Sequence, residues 1–188
     1  MAKTLEPFFT ELDRLEDRIP LGRLTELLRE LNVTIDDVRD HVMFSPDSYQ
    51  RNLVRRGPAY EALLLCWKNG QRSAIHDHRG SACGVLVVKG TATETVFERN
   101  EQGWIYAVGS HEREEGGVCG SNDMDTHQIS NLQPGGQDLI TLHIYSPPLG
   151  LVGNYSLTDN TVEEVVSPIN PPACVPVGSI DGSGKESP

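Results

Sequence analysis

Three histidines in this sequence have the spacing of ligands to a single metal ion. His76 and His78 flank Asp77 in an extended segment, where residues two positions apart point to the same face. Both imidazoles can therefore reach one metal from one side of a sheet. A third ligand has to come from another segment, and His127, within the strand-like run 126–130, is the candidate. Spacing alone leaves a second interpretation open, because a His-x-His pair also arises in proteins that bind no metal.

Thr141, His143 and Tyr145 form a second group, with the types and spacing of a hydrogen-bonded relay. They stand at alternate positions of one predicted strand, so they share a face. His143 would orient the Tyr145 hydroxyl, and Thr141 would fix the tautomer of His143. The alternative that the residues leave open is a strand whose polar face meets solvent, as in many antiparallel sheets.

The segment 70–90 carries a specific histidine motif, G-x5-H-x-H-x4-C-x6-G. It resembles the first motif of the cupin superfamily, in which the position of Cys83 is normally a glutamate ligand. His127 and Asn131 resemble the end of the second cupin motif. With Cys83 in place of the glutamate, the site consists of three neutral imidazoles, and about three positions of an octahedral iron(II) stay open for a bidentate substrate and O2. Zinc with three histidines and one water would have the same sequence pattern.

Four longer blocks make the chain similar to the cysteine dioxygenase family over residues 49–148. They are YQRNL (49–53), LCW (65–67), SAIHDH (73–78) and LHIYSPP (142–148). The resemblance implies a non-haem iron(II) enzyme, a thiol dioxygenase that adds both atoms of O2 to the sulfur of L-cysteine and forms cysteine sulfinic acid. It implies iron(II) on His76, His78 and His127 as the cofactor, with a small thiol and O2 as the partners.

The resemblance also implies roles for four further residues. The Tyr145 hydroxyl would point at the iron site, and Cys83 matches a cysteine that some family members join to that tyrosine by a thioether bond. Arg51 matches the arginine that holds the substrate carboxylate, and Tyr49 would add a hydrogen bond to the same group. Relatives that use 3-mercaptopropionate usually have glutamine in place of this arginine, so Arg51 favours cysteine. Another small thiol as substrate, or a zinc- or ligand-binding cupin, are the alternatives.

The elements that carry these residues predict a mainly β fold, a cupin-type β-barrel or jelly roll with an N-terminal helical segment. Apolar residues recur at helical spacing over the first 45 residues, with Pro20 between two helices and Thr34 before a third. Strands are predicted at 62–68, 83–89, 94–98, 104–108, 126–130, 138–145 and 161–166. We predict helices packed on the barrel over 1–45, the barrel with its iron site over 46–167, and a flexible tail over 168–188.

The composition argues against several classes of partner. The 188 residues include 16 Lys or Arg and 27 Asp or Glu, a net charge of -11, whereas nucleic acids and acidic membranes attract basic surfaces. No apolar run approaches the ~20 residues of a membrane helix, and the N-terminus lacks the features of a signal peptide. We therefore predict a cytoplasmic protein with no nucleic-acid or membrane partner. The resembled family further implies a monomer.

Overall fold

The computed structural model describes residues 4–167 and residue 169, within which three helical elements precede eleven β-strands. The helical elements are α1 (Leu5–Leu12), α2 (Leu21–Glu30) and the 3₁₀ helix Ile35–His41. The strands are β1 (Gln50–Arg56), β2 (Glu61–Trp67), β3 (Ile75–His76), β4 (Ala82–Lys89), β5 (Ala92–Arg99), β6 (Ile105–Arg113), β7 (Val118–Asn122), β8 (Thr126–Ser130), β9 (Leu139–Ser146), β10 (Leu151–Tyr155) and β11 (Val162–Val166).

These strands form two antiparallel sheets with a shared core between them. The first sheet has the order β1-β2-β9-β4-β7, and the second has the order β11-β10-β3-β8-β5-β6. Side chains of both sheets, among them Leu65, Val85, Ile129 and Val152, pack in one buried cluster. The predicted mainly β architecture is confirmed. The space between the sheets can enclose polar side chains away from solvent.

The first sheet is buried on both faces because the helices cover its outer side. Ala62 and Leu64 of β2 join a cluster with Leu24 and Leu28 of α2. Leu63, the residue between the first two, belongs to the cluster between the sheets. All residues of β2 and β9 are accordingly buried. Burial of both faces explains why the sequence of β2 is continuously apolar after Glu61.

Close contact between α2 and β4 depends on a glycine beside one of the predicted site residues. A Cβ atom at Gly84 would lie 2.7 Å from Leu28 Cδ1 and 3.0 Å from Leu24 Cγ, which is closer than two carbon atoms pack. The missing side chain lets the helix lie directly on the strand. Cys83, the preceding residue, faces the other way and joins the core between the sheets.

The second sheet exposes its outer face and turns two of the predicted ligands inward. On β6, Tyr106 and Val108 are about half exposed, at 46% and 47%. The strand β3 has only two residues, and its His76 pairs directly with His127 of β8. Paired residues of neighbouring strands share a face of the sheet. The register therefore brings these two histidines side by side.

All seven predicted strands have counterparts in the structure, and the largest difference is at β6, which continues to Arg113. Four strands are not predicted by the sequence pattern: β1, β3, β7 and β10. The first of these carries three arginines and an asparagine, and the second is two residues long. The other two each contain a glycine. None of the four has the apolar alternation that predicts a strand.

The helical segment has the predicted number of elements but different limits. Helix α1 ends at Leu12, so Ile19 lies beyond it, although this side chain is buried. Pro20 lies between α1 and α2, as predicted, and directly precedes α2. Thr34 precedes the 3₁₀ helix as predicted, and its backbone N–H donates to the Asp37 carboxylate (2.8 Å).

Two boundaries of the predicted domain division stay predictions. The boundary after residue 45 falls between the 3₁₀ helix and β1. The predicted tail 168–188 lies outside the described residues except for Ile169, which packs against the core between the sheets. Over the described residues, no helix combines the length and apolar character needed to cross a membrane.

Candidate metal centre and active site

Three imidazoles meet in the space between the sheets. His76 lies on β3, His78 follows two residues later, and His127 lies on β8. Their ring centroids are 4.9 to 5.1 Å apart, and one nitrogen from each lies within 4.8 Å of the others. All three residues are buried. The structure thus brings together the three residues that the sequence predicts as metal ligands.

Each imidazole engages its Nδ1 atom with a different partner, which leaves Nε2 for a metal. The three contacts are His76 Nδ1 to the Ala74 carbonyl oxygen (3.0 Å), His78 Nδ1 to Ser121 Oγ (3.1 Å) and His127 Nδ1 to Glu94 Oε1 (2.8 Å). A carbonyl and a carboxylate can only accept, so His76 and His127 carry a hydrogen on Nδ1. Such contacts fix the orientation and tautomer of a ligand.

Burial keeps the imidazoles of His76 and His78 neutral. It is the main cause that lowers the pKa of His76 to about 3, and the nearby His127 adds to the shift. Burial also holds the pKa of His78 well below its ordinary value. Neutral imidazoles suit divalent transition ions, whereas calcium and magnesium prefer oxygen ligands. The donor set therefore fits iron(II), and it fits zinc equally well.

Asp77, between two of these histidines, ties the ligand segment to β10. Its fully buried carboxylate accepts hydrogen bonds from the Gly153 N–H (2.9 Å), the Tyr155 hydroxyl (2.7 Å) and Arg79 Nε (3.2 Å). Side chains alternate along extended backbone, so Asp77 points away from the cluster while the histidines on either side point into it. The carboxylate is an anchor for the segment.

A chain of hydrogen bonds runs along the inner face of β9. Trp67 Nε1 donates to Thr141 Oγ1 (3.0 Å), and this oxygen lies 2.9 Å from His143 Nε2. His143 Nδ1 lies 3.3 Å from the Tyr145 hydroxyl oxygen. Burial holds the pKa of His143 well below its ordinary value, so this imidazole is neutral.

The first hydrogen bond of this chain has a fixed direction, because the indole N–H of Trp67 can only donate. Thr141 accepts from the indole and has its own hydrogen available for His143 Nε2. In the arrangement where Thr141 donates to Nε2, the neutral imidazole carries its hydrogen on Nδ1 and donates it to the phenol oxygen. The hydrogen of the Tyr145 hydroxyl is left to donate to a group in the site.

Cys83 and Tyr145 are direct cross-strand partners on β4 and β9. Both are buried, with exposed fractions of 0% and 1%. Burial is the main cause that raises the pKa of the Cys83 thiol and holds that of the Tyr145 phenol well above its usual value. The thiol sulfur also lies 3.9 Å from His143 Nδ1. Thiol and phenol are therefore protonated neighbours at the end of the relay.

Arg51 is a buried cation beside the same phenol. Its exposed fraction is 7%, and in the part of the chain that the structure describes its Nε and Nη2 atoms have no hydrogen-bond partner. Its guanidinium carbon lies 5.6 Å from the centre of the Tyr145 ring. By contrast, Arg55 on the same strand pairs with Asp13. A buried guanidinium with free donors is suited to bind a carboxylate.

The predicted site residues surround one small cavity that continues toward the surface. Seven of the nine line it: Tyr49, Arg51, His76, His78, His127, His143 and Tyr145. An outer cavity of about 330 Å³ shares Tyr49, Arg51 and His76 with it and is bounded by residues of β10 and β11. The other two predicted residues, Thr141 and Cys83, do not line the cavity but contact His143.

The sequence of the chain matches one protein-family model over residues 15–158, which is well over half of its length. That model describes cysteine dioxygenase type I. This chain belongs to the cysteine dioxygenase type I family. Cysteine dioxygenase type 1 of Danio rerio is 29% identical over 153 residues, which cover 78% of this chain and 76% of the relative. The Homo sapiens protein of the same name is 32% identical over 112 residues, 57% of this chain and 56% of that protein.

Solved structures show the fold of this cysteine dioxygenase family member. An uncharacterized conserved protein from Klebsiella pneumoniae with a double-stranded β-helix domain matches with a TM-score of 0.50 at 15% identity, over 69% of this chain and 88% of that chain. The double-stranded β-helix is the barrel of the cupins. The predicted cupin-type architecture is confirmed.

The sequence does not predict three residues that support the site of this family member: Glu94, Ser121 and Trp67. Glu94 and Ser121 each contact a ligand histidine, and Trp67 donates to Thr141 at the start of the relay. An acidic residue at an inward position of a predicted strand is a signal for Glu94. Ser121 gives no such signal, because β7 itself is not recognisable from its sequence.

Proposed function

We propose that this chain is a cysteine dioxygenase, which oxidises the thiol of L-cysteine with O2 to cysteine sulfinic acid. The observation that carries the proposal is the buried Arg51 guanidinium, with two unpartnered nitrogens, in the same small cavity as three clustered histidines. A metal centre and a carboxylate receptor so close together suit a small thiol that carries a carboxylate. Membership of the cysteine dioxygenase type I family supports the same reaction.

His76, His78 and His127 would hold iron(II) through their Nε2 atoms. The chemistry that iron(II) supplies in such a site is the reaction of O2 with an adjacent thiolate. The thiol sulfur provides all four electrons that O2 takes up, so no external reductant is required. The protein contributes fixed positions and a cavity with little room for water.

Arg51 would hold the substrate carboxylate and thereby orient the thiol toward the histidines. A guanidinium pairs with a carboxylate through two parallel hydrogen bonds, and its free Nε and Nη2 atoms can provide them. Tyr49 lines the same cavity and would add a third hydrogen bond. Its ring stacks on Trp67 with centres 4.1 Å apart, which limits its movement.

Tyr145 would donate its hydroxyl hydrogen to the reacting oxygen or to the substrate carboxylate. The relay from Trp67 supports this role, because a His143 that donates from Nδ1 to the phenol oxygen leaves that hydrogen free. Thr141 would maintain the required tautomer of His143. The phenol itself stays neutral, since burial raises its pKa.

Cys83 would form a thioether bond with the Tyr145 ring. Their direct pairing across β4 and β9 and their complete burial support this modification. Joining the sulfur to a ring carbon removes one hydrogen from each residue, and O2 takes up the two electrons and two protons. The bond would hold the phenol at the metal centre.

Oxygen uptake by the iron(II)-loaded protein tests the proposal. With L-cysteine as the substrate, we expect one O2 consumed for each cysteine sulfinate formed, measured with an oxygen electrode and mass spectrometry. Uptake with 3-mercaptopropionate alone would assign the chain to a different thiol. No uptake with any thiol by metal-loaded protein would indicate a zinc- or ligand-binding cupin.

The soluble context of the enzyme is part of the proposal. We propose a cytoplasmic monomer whose partners are the thiol and O2, with no nucleic-acid or membrane partner, in keeping with its net charge of -11. Light scattering during gel filtration tests the monomer, and a mass of two chains would contradict it.

A further inference from the structure

Glu94 brings a carboxylate to the metal centre without joining the three ligand nitrogens. It lies on β5, points inward and is buried, with an exposed fraction of 8%. Its Oε1 atom lies 2.8 Å from His127 Nδ1. A carboxylate accepts hydrogen bonds, so His127 donates from Nδ1 in this contact.

We propose that Glu94 is a positioning residue that holds His127 in the Nδ1–H tautomer and aims its Nε2 at the metal. It also places a carboxylate next to the three clustered imidazoles. The inference rests on the proposed function, since it presupposes a metal on these histidines. Nothing in the sequence pattern of the ligands themselves requires this carboxylate.

The partners of the other two ligands show why Glu94 is distinctive. His76 donates to a neutral backbone carbonyl, and His78 contacts the neutral hydroxyl of Ser121. A hydrogen bond to an ionised acceptor is about twice as strong as one between neutral groups. It also raises the basicity of the imidazole that donates it. His127 is thus the most basic metal ligand of the three, and its orientation depends most on its hydrogen-bond partner.

A small molecule in solution can reach Glu94 through a second cavity, without passing through the substrate cavity. A cavity of about 690 Å³ is lined by Glu94 and His127, together with His111 and Arg113. Its lining shares only His127 with the inner cavity that holds Arg51 and Tyr145. A small carboxylic acid could therefore occupy the space that a shortened side chain would leave. This geometry allows the missing carboxylate to be supplied from solution.

The first experiment measures the tautomer of His127 in metal-free protein by ¹⁵N NMR. The wild type is expected to show Nδ1–H for His127, and Glu94→Ala is expected to show a mixture of tautomers or the Nε2–H form. Glu98→Gln is the matched control, because Glu98 lines the same cavity on the same strand but is exposed and bonded to Tyr106. An unchanged His127 tautomer in Glu94→Ala would overturn the inference.

The second experiment measures cobalt(II) affinity by optical titration, without any substrate. Loss of a carboxylate behind a ligand histidine weakens metal binding by about 10- to 100-fold. We expect this loss in Glu94→Ala, a smaller loss in Glu94→Gln, whose amide oxygen still accepts from Nδ1, and no loss in Glu98→Gln. Equal affinity of Glu94→Ala and wild type would contradict the proposal.

Chemical rescue separates positioning from a general packing defect. Formate added to Glu94→Ala is expected to restore at least a tenth of the lost affinity, whereas chloride at the same ionic strength restores none. A loss that formate does not reverse would assign Glu94 a packing role and overturn the inference. Wild-type protein that binds metal but does not oxidise cysteine would remove the proposed function while leaving the role of Glu94 intact.

Discussion

The Arg51 guanidinium lies 5.6 Å from the centre of the Tyr145 ring, and both side chains are buried in the wall of one cavity. The residue suited to hold the substrate carboxylate and the phenol at the end of the relay therefore share a corner of the site. A carboxylate bound to Arg51 would lie within reach of the Tyr145 hydroxyl. This proximity would couple the two proposed roles, substrate binding by Arg51 and hydrogen-bond donation by Tyr145.

Replacing Arg51 should mainly weaken substrate binding. In Arg51→Gln we expect kcat/KM for L-cysteine to fall about 100-fold, since loss of a buried charge-assisted pair costs about 3 kcal/mol. Most of the change should be in KM, measured by initial rates of oxygen uptake. Arg55→Gln is the control, because Arg55 pairs with Asp13 away from the cavity and its loss should leave KM nearly unchanged. An unaltered KM in Arg51→Gln would contradict the proposed carboxylate contact.

The hydroxyl of Thr141 should matter more than its bulk. Thr141→Val keeps the shape of the side chain but removes the acceptor for Trp67 and the donor to His143 Nε2. With the tautomer of His143 no longer fixed, we expect kcat to fall about 10-fold, the lower range of proton-transfer effects. Thr141→Ser retains the hydroxyl and should keep most of the activity. Equal kcat values for the two variants would remove Thr141 from the relay.

Formation of the thioether bond should lower the mass of the intact protein. Protein isolated after turnover with cysteine and O2 should be lighter by two hydrogens than freshly expressed protein, and a linked peptide should contain Cys83 and Tyr145. Their burial as direct cross-strand partners brings the reacting atoms together. Cys83→Ser is expected to keep the full mass under the same conditions. Intact-protein mass spectrometry that finds no mass loss in the active enzyme would disprove the bond.

Metal-free protein should lose stability in acid because its interior histidines are neutral. The pKa values of His76, His78 and His143 lie below the unfolded value of about 6.5, mainly through burial. The unfolded chain therefore binds more protons as the pH falls, so stability that is full above about pH 6.5 is lost below it, toward the pKa of about 3 at His76. Each histidine contributes about 1.4 kcal/mol per pH unit within this window.

Urea unfolding at several pH values between 5 and 7 measures this slope. His143→Gln should lower the slope by about 1.4 kcal/mol per pH unit, the contribution of one histidine. Replacement of the exposed His111 by glutamine is the matched control and should leave the slope unchanged. A slope in His143→Gln equal to that of the wild type would show that this imidazole does not stay neutral in the folded state.

Local patterns were sufficient to group two of the candidate ligands and the candidate relay residues. Alternation along extended backbone places His76 with His78, and Thr141 with His143 and Tyr145, on common faces whatever the rest of the fold does. The apolar runs of β2 and β4 are visible in the sequence because both faces of these strands are buried. The polar strand β1, which carries Arg51, has no such pattern and was not predicted.

Relationships between distant segments required the folded chain. The pairing of β3 with β8 brings His127 beside His76. The packing of the two sheets buries Arg51, whereas Arg55 on the same strand forms an ion pair with Asp13. The contact between Glu94 and His127 joins residues 33 positions apart. Residue types and short spacings are properties of the local backbone and can be inferred from sequence. Burial, the pKa shifts that it causes and the partners of Nδ1 atoms depend on long-range strand register, which no local pattern encodes.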